Sequence, residues 1–249
     1  MTELEFFLLV LSASAILVGV VRRFAISQGV LDHPTERGSH DTPTPRGGGL
    51  GVVAVILTAF IFIALGARDV RIWTSIVACG AVALVGWQDD RRGLAVGTRL
   101  GVHLLAGLAL GIFAVAPGMS FTLQLGVFAV WALWTVTSIN FVNFMDGING
   151  FVACQIAIFA MSLVFFGSAV SRASWYAAAV AAACIGFLPW NFPRARIFLG
   201  DVGSGALGFL VPFVALMTMR EQSISAGRVF LPLFPLFGDA IVTLLRRWL

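Results

Sequence analysis

Long apolar runs alternate along this chain with four short polar islands, at residues 33–51, 88–92, 140–150 and 191–204. A helix needs about 20 mostly apolar residues to cross the hydrocarbon core of a bilayer. Nine runs approach that length: 4–21, 48–66, 72–87, 100–116, 121–139, 151–170, 174–190, 205–219 and 229–245. None alternates with a period of two, and a backbone in lipid must satisfy its own hydrogen bonds. The pattern therefore predicts an all-α, polytopic membrane bundle of about nine transmembrane helices, folded as a single domain over residues 1–249.

Composition agrees with the pattern. The chain is 59% hydrophobic and 11% charged, with a mean hydropathy of +0.96, whereas soluble domains carry about 25% charged residues. A net charge of +4 without a soluble basic domain gives no case for nucleic acid. The first run opens with Glu3 and Glu5 and is followed by Arg22 and Arg23. A signal peptide has the opposite polarity, so the run reads as a retained span with its N-terminus outside. All 16 basic residues are arginine; eleven fall in one alternate set of loops and five in the other. By the positive-inside rule the richer set is cytoplasmic, and it contains every island. Cys79, Cys154 and Cys184 lie inside apolar runs without metal-ligand spacing and read as small hydrophobes.

The islands hold the candidate chemistry. Asp89 and Asp90 close the third run. They form either a solvated stop signal neutralised by Arg91 and Arg92, or a repelling carboxylate pair that a divalent cation would relieve. In the third island Asn140, Asn143 and Asp146 recur at i, i+3 and i+6, one stripe of a helix. The asparagines can donate to a sugar amide or phosphate while Asp146 accepts; the alternative is a polar seam between helices. In the fourth island a glycine-rich turn around Asp201 opens a helix, a natural anion site, with Arg194 and Arg196 as phosphate forks and Asp201 placed to hold a metal. Packing glycines and anchoring arginines are the alternative. His40 and Arg46 of the first island could contact phosphate or nucleotide, a connector being the favoured role. His103 reads as a packing histidine, and Asp239 as an intramembrane carboxylate engaged in helix packing.

In order along the chain, Arg37 to His40 followed by Pro43-Thr-Pro-Arg-Gly-Gly-Gly, Asp89-Asp90, Asn140-x-x-Asn143-x-x-Asp146-Gly, and Phe198-Leu-Gly-Asp201-Val-Gly-Ser204 resemble the motifs of the polyprenyl-phosphate N-acetylhexosamine-1-phosphate transferases. That family includes phospho-N-acetylmuramoyl-pentapeptide translocase and the initiating transferases of O-antigen and teichoic acid synthesis. The Thr-Pro-Arg-Gly-Gly-Gly loop looks closer to the O-antigen type. The resemblance implies transfer of N-acetylhexosamine 1-phosphate from a UDP-N-acetylhexosamine to undecaprenyl or another polyprenyl phosphate, releasing UMP. The reaction would depend on Mg²⁺, with Mn²⁺ as a substitute, at the cytoplasmic face of a bacterial inner membrane, and would initiate a cell-envelope polysaccharide. A homodimer is compatible with it.

By the same resemblance Asp201 is the principal metal ligand. Asp89 and Asp90 complete the acidic cluster, one near the metal, with Asp90 as the second ligand, and one near the lipid phosphate. Asp146 acts with Asn143 on the nucleotide or sugar, and His40, Arg46, Asn140, Asn149, Arg194 and Arg196 bind substrate. A phosphate monoester has its second pKa near about 6 and is mostly dianionic at neutral pH, so the aspartate pair is expected to act through the cation rather than as a base. Two departures stand out. Asn149 replaces an aspartate common in relatives, and the histidine motif expected beyond the last span is absent before Leu249, as in a C-terminally truncated chain. A secondary transporter is the competing reading, but its polar groups should cluster at the midplane, and here they lie at span ends. An intramembrane aspartyl protease would need Asp201 and Asp239 to face each other.

Overall fold

Each apolar run folds as a helix, and several helices continue into the polar islands instead of stopping before them. The computed structural model describes residues 1–34, 42–66, 69–167, 171–222 and 224–248. The helices are α1 (Glu3–Ser27), α2 (Gly49–Ala64), α3 (Val70–Arg92), α4 (Val96–Ala114), α5 (Phe121–Met145), α6 (Phe151–Phe166), α7 (Arg172–Asn191) and α8 (Gly200–Gln222). A last traverse consists of α9 (Ala226–Phe230), a 3₁₀ turn (Leu231–Leu233) and α10 (Phe234–Trp248). Pro232 falls in that turn and Pro235 in the first turn of α10, where a missing N–H is tolerated. Helix starts follow local chemistry. Thr2 and Glu5 form a capping box on α1, and Asp69, Ser120 and Ser171 cap α3, α5 and α7, each satisfying amide groups that a helix leaves open.

The expected polytopic helical bundle is present, with two shorter members. Among the described residues seven helices are long and apolar enough to cross a membrane, whereas α2 and α6 have 16 residues each. At 1.5 Å per residue they measure about 24 Å, less than the roughly 30 Å hydrocarbon core. The chain still traverses the bundle nine times, so all four islands gather at one end.

α8 runs through the middle, and its residues from Val202 to Thr218 are buried on every side. It packs against α2, α3, α5 and α7. Small residues permit the close crossings, as helix association in lipid requires. Gly49 meets Gly203, and Gly86 meets the backbone of Asp201 and Val202, so that a methyl group at either glycine would collide with the facing chain. Gly86→Ala should therefore push α3 away from the start of α8 and lower stability by about 1–3 kcal/mol, the cost of overpacking. Gly101→Ala, which meets open space, is the control; equal melting temperatures in detergent would contradict the packing.

Backbone bonds lock the islands together. A two-residue antiparallel ladder pairs Leu31 with Pro45 and Asp32 with Thr44, the small exception to an all-α fold. Phe198 N–H donates to the Pro45 carbonyl at 2.8 Å, while Gly48 and Gly49 donate to Phe198 and Leu199, both at 2.8 Å. The buried Asn191 accepts from Gly150 N–H at 2.6 Å and donates to the Ile197 carbonyl at 3.0 Å, which joins the third island to the fourth.

Candidate active site

Gly200 opens α8 with φ +76°, and its missing side chain leaves room for Asp90, whose Oδ2 would lie 2.6 Å from a Cβ there. The carboxylate of Asp90 then caps the helix: Asp201 N–H donates to Oδ1 at 2.9 Å and Val202 N–H to Oδ2 at 3.1 Å. The anion that the start of α8 attracts is thus supplied by the protein. Arg46 completes the arrangement, with Nε 2.8 Å from Asp90 Oδ1 and Nη2 3.1 Å from Asp201 Oδ1. Both oxygens of Asp90 are committed to these partners, and its side chain is 3% exposed.

Asp201 is the more open of the two, its side chain 20% exposed. Its Oδ1 also accepts from Asn143 Nδ2 at 3.0 Å, and the same amide donates to Ser204 Oγ at 3.0 Å. Asp89 accepts from Leu94 N–H and from Arg99 Nη1, the latter at 2.6 Å. Arg99 lies 3.9 Å from Asp201 Oδ2, and the carboxyl groups of Asp89 and Asp201 come within hydrogen-bonding reach of each other. Asp146, just past α5, lies near the Gly200 amide, which favours its charged form.

The charges act on one another. Burial raises the pKa of Asp146 well above the usual carboxylate range; Asp201 and Asp90 add to the rise and Arg46 opposes it. Burial by itself would lower the pKa of Arg46, but Asp90, Asp201, Asp32 and Asp146 outweigh it and hold the guanidinium more firmly protonated. Four islands therefore contribute to one electrostatic unit, as their alternation across the bundle predicted.

Among the described residues no set of three or more His, Cys, Asp or Glu side chains forms a complete metal cage. Mg²⁺ does not require one, since it is usually held by one or two carboxylates together with water and substrate phosphates. Two close carboxyl groups favour a shared proton or cation, so Asp89 and Asp201 form a donor set that suits a hard divalent ion. Asp90, the second ligand expected from the sequence, serves here as the helix cap.

The remaining candidates divide. A cavity of about 390 Å³ beside Asp201 is lined by Arg99, His103, Asn140 and Asn143 on its polar side and by aliphatic residues of α3, α4 and α5 elsewhere. Asn140 Nδ2 donates to the Val136 carbonyl at 2.7 Å. Asn149 reaches the Pro193 carbonyl at 3.5 Å. Arg194 and Arg196 are exposed and make no ion pair among the described residues. His40 lies outside the described residues. Asp239 is exposed on α10 and joins none of these bonds. Arg99, Ser204 and Asn191 escaped the sequence reading. Arg99 carried a signal, because an arginine in the first turn of a helix opposes the helix dipole and needs another reason to be there.

Residues 72–219 match the profile of glycosyl transferase family 4, a stretch running from α3 to α8. A Bacillus subtilis protein named "probable undecaprenyl-phosphate N-acetylglucosaminyl 1-phosphate transferase" is 30% identical over 97% of this chain and 70% of its own length. Decaprenyl-phosphate N-acetylglucosaminephosphotransferase of Mycolicibacterium smegmatis is 34% identical over 78% of this chain; the match spans 54% of that relative, about half its length. Phospho-N-acetylmuramoyl-pentapeptide-transferase of Clostridioides difficile is 26% identical over 87% of this chain and 74% of its own length.

Proposed function

Since this chain belongs to glycosyl transferase family 4, we propose that it transfers N-acetylhexosamine 1-phosphate from a UDP-N-acetylhexosamine to a polyprenyl phosphate at the cytoplasmic face of a bacterial inner membrane. An oxygen of the lipid phosphate attacks the sugar-bearing phosphorus, a new P–O bond forms, and the bond to UMP breaks. The observation that carries this reading is the double bridge in which Arg46 spans Asp90 and Asp201 while Arg99 reaches Asp89 and Asp201. Phosphoryl transfer depends mainly on positioning and charge neutralisation, and this arrangement provides both.

The residues divide the work. Asp201 and Asp89 are the groups that would hold Mg²⁺, which when bound neutralises charge on the reacting phosphates. Asp90 fixes the start of α8 and thereby aims Asp201. Arg46 and Arg99 keep guanidinium groups beside the acidic residues, where donors remain for phosphate oxygens. Asn143 orients Asp201 through its amide, and the buried Asp146 adds its carboxyl group to the electrostatic surroundings of Asp201 and Arg46. No residue is needed as a base, because the acceptor phosphate is already mostly dianionic above its second pKa of about 6.

The test is incubation of membranes containing the chain with radiolabelled UDP-N-acetylglucosamine, or a panel of UDP-N-acetylhexosamines, and undecaprenyl phosphate. Label should pass into an organic-soluble product, stop passing when EDTA is added, and resume with Mg²⁺. Label retained unaltered inside vesicles would instead favour a transporter.

A further inference from the structure

Arg22, Arg23, Arg194 and Arg196 stand at the island end of the bundle, and the chemistry above uses none of them. The first two lie near the end of α1 and the others in the fourth island, beyond α7. Although 174 residues separate them, Arg22 Nε donates to the Arg196 carbonyl at 3.0 Å, which holds the two pairs side by side. Arg23, Arg194 and Arg196 are exposed. Among the described residues none of the four pairs with a carboxylate, whereas Arg46 and Arg99 meet the site aspartates and Arg172 meets Glu221. Like charges held together without a counterion repel one another, so an anion from outside the protein is the partner that relieves them.

Position and neighbours define the anion. α1 packs against α2 and α7, on the flank of the bundle, and none of the four arginines lines the cavity beside Asp201. Phe24 and Phe192, next to them in the chain, are 58% and 59% exposed. Exposed aromatic rings beside arginines at the end of a membrane span suit the boundary between acyl chains and headgroups. A soluble anion would meet the arginines and leave the rings in water. A phospholipid meets both, its phosphate against the guanidinium forks and its chains against the rings. A headgroup that carries a net negative charge suits the surface best, because it brings no cation to face the arginines. We propose that Arg22, Arg23, Arg194 and Arg196 form a docking surface for an anionic phospholipid of the leaflet at the island end, separate from the pocket of Asp201.

Titration of the purified chain in detergent with dihexanoyl phosphatidylglycerol, against dihexanoyl phosphatidylcholine, tests the assignment, with binding read from the rise in melting temperature. The glycerol lipid should bind the parent chain more tightly than the choline lipid, and added salt should narrow the difference. Arg23→Gln, Arg194→Gln and Arg196→Gln all change exposed side chains, and they leave the Arg22 bond in place because its acceptor is a backbone carbonyl. Each should weaken phosphatidylglycerol binding about fivefold, the scale of one basic residue at an anionic surface. The triple variant should weaken it about a hundredfold on the same scale, with phosphatidylcholine binding unchanged. The three single variants carry the test if the triple one does not fold. Arg228→Gln, exposed on α9 at the opposite end, should bind as the parent does. Equal binding of the two lipids by the parent, undiminished phosphatidylglycerol binding by the variants, or an equal loss from Arg228→Gln would overturn the proposal. So would an equal shift from inorganic phosphate, which would assign the arginines to a free anion. Displacement of phosphatidylglycerol by UDP-N-acetylglucosamine would also overturn it, returning Arg194 and Arg196 to the substrate site that the sequence suggested.

Discussion

Asp201→Asn should reduce transfer by about a thousandfold, the upper range for losing one preorganised electrostatic group, and should leave the protein as stable as before or more so. The asparagine oxygen can still accept from Arg46 and Asn143, which bond Oδ1 in the parent protein. What disappears is the negative charge facing Asp89, and with it both a cation site and a like-charge repulsion. Loss of activity with preserved melting temperature separates a chemical role from a structural one. Activity within about tenfold of the parent would remove Asp201 from the centre of the mechanism, because tenfold is only about 1.4 kcal/mol of barrier.

Asp90→Ala should behave in the opposite way and destabilise the fold. It removes the acceptor for two backbone amides at the start of α8 and strips Arg46 of its closest partner. Breaking a buried ion pair costs about 3–5 kcal/mol; with Arg46 35% exposed, the low end, about 3 kcal/mol, is expected. The melting temperature in detergent should fall clearly, and Asp90→Asn, which keeps one acceptor oxygen, should fall less. Activity lost from Asp90→Ala at unchanged stability would restore the metal-ligand role that the motif suggested.

The two neighbouring aspartates also show what the sequence could and could not reveal. Helical runs were legible because long apolar stretches have no other stable form in lipid, and the odd-even alternation of loops placed the islands at one end. Helix ends were not legible. The last turn of α3, the last turns of α5 and the first turn of α8 contain Asp89, Asp90, Asn143 and Asp201, and each is satisfied by a residue on another helix, beyond any local window. Adjacent residues on a helix point about 100° apart, given 3.6 residues per turn. Asp89 and Asp90 therefore read as one pair in the sequence, yet one meets α4 and the other caps α8. Arg99 was given no role for a related reason: it is a single arginine just ahead of an apolar run, and only the packing of α3, α4, α5 and α8 makes it a neighbour of Asp201.

The proposed transfer calls for one divalent ion where the islands meet, with Asp89 and Asp201 as the groups that would hold it. Mn²⁺ titration of the purified chain, followed by electron paramagnetic resonance, addresses it without reference to turnover. One Mn²⁺ per chain, displaced by Mg²⁺, weakened by Asp89→Asn and abolished by Asp201→Asn, is the predicted result. Undiminished Mn²⁺ binding by the Asp201→Asn protein would contradict it.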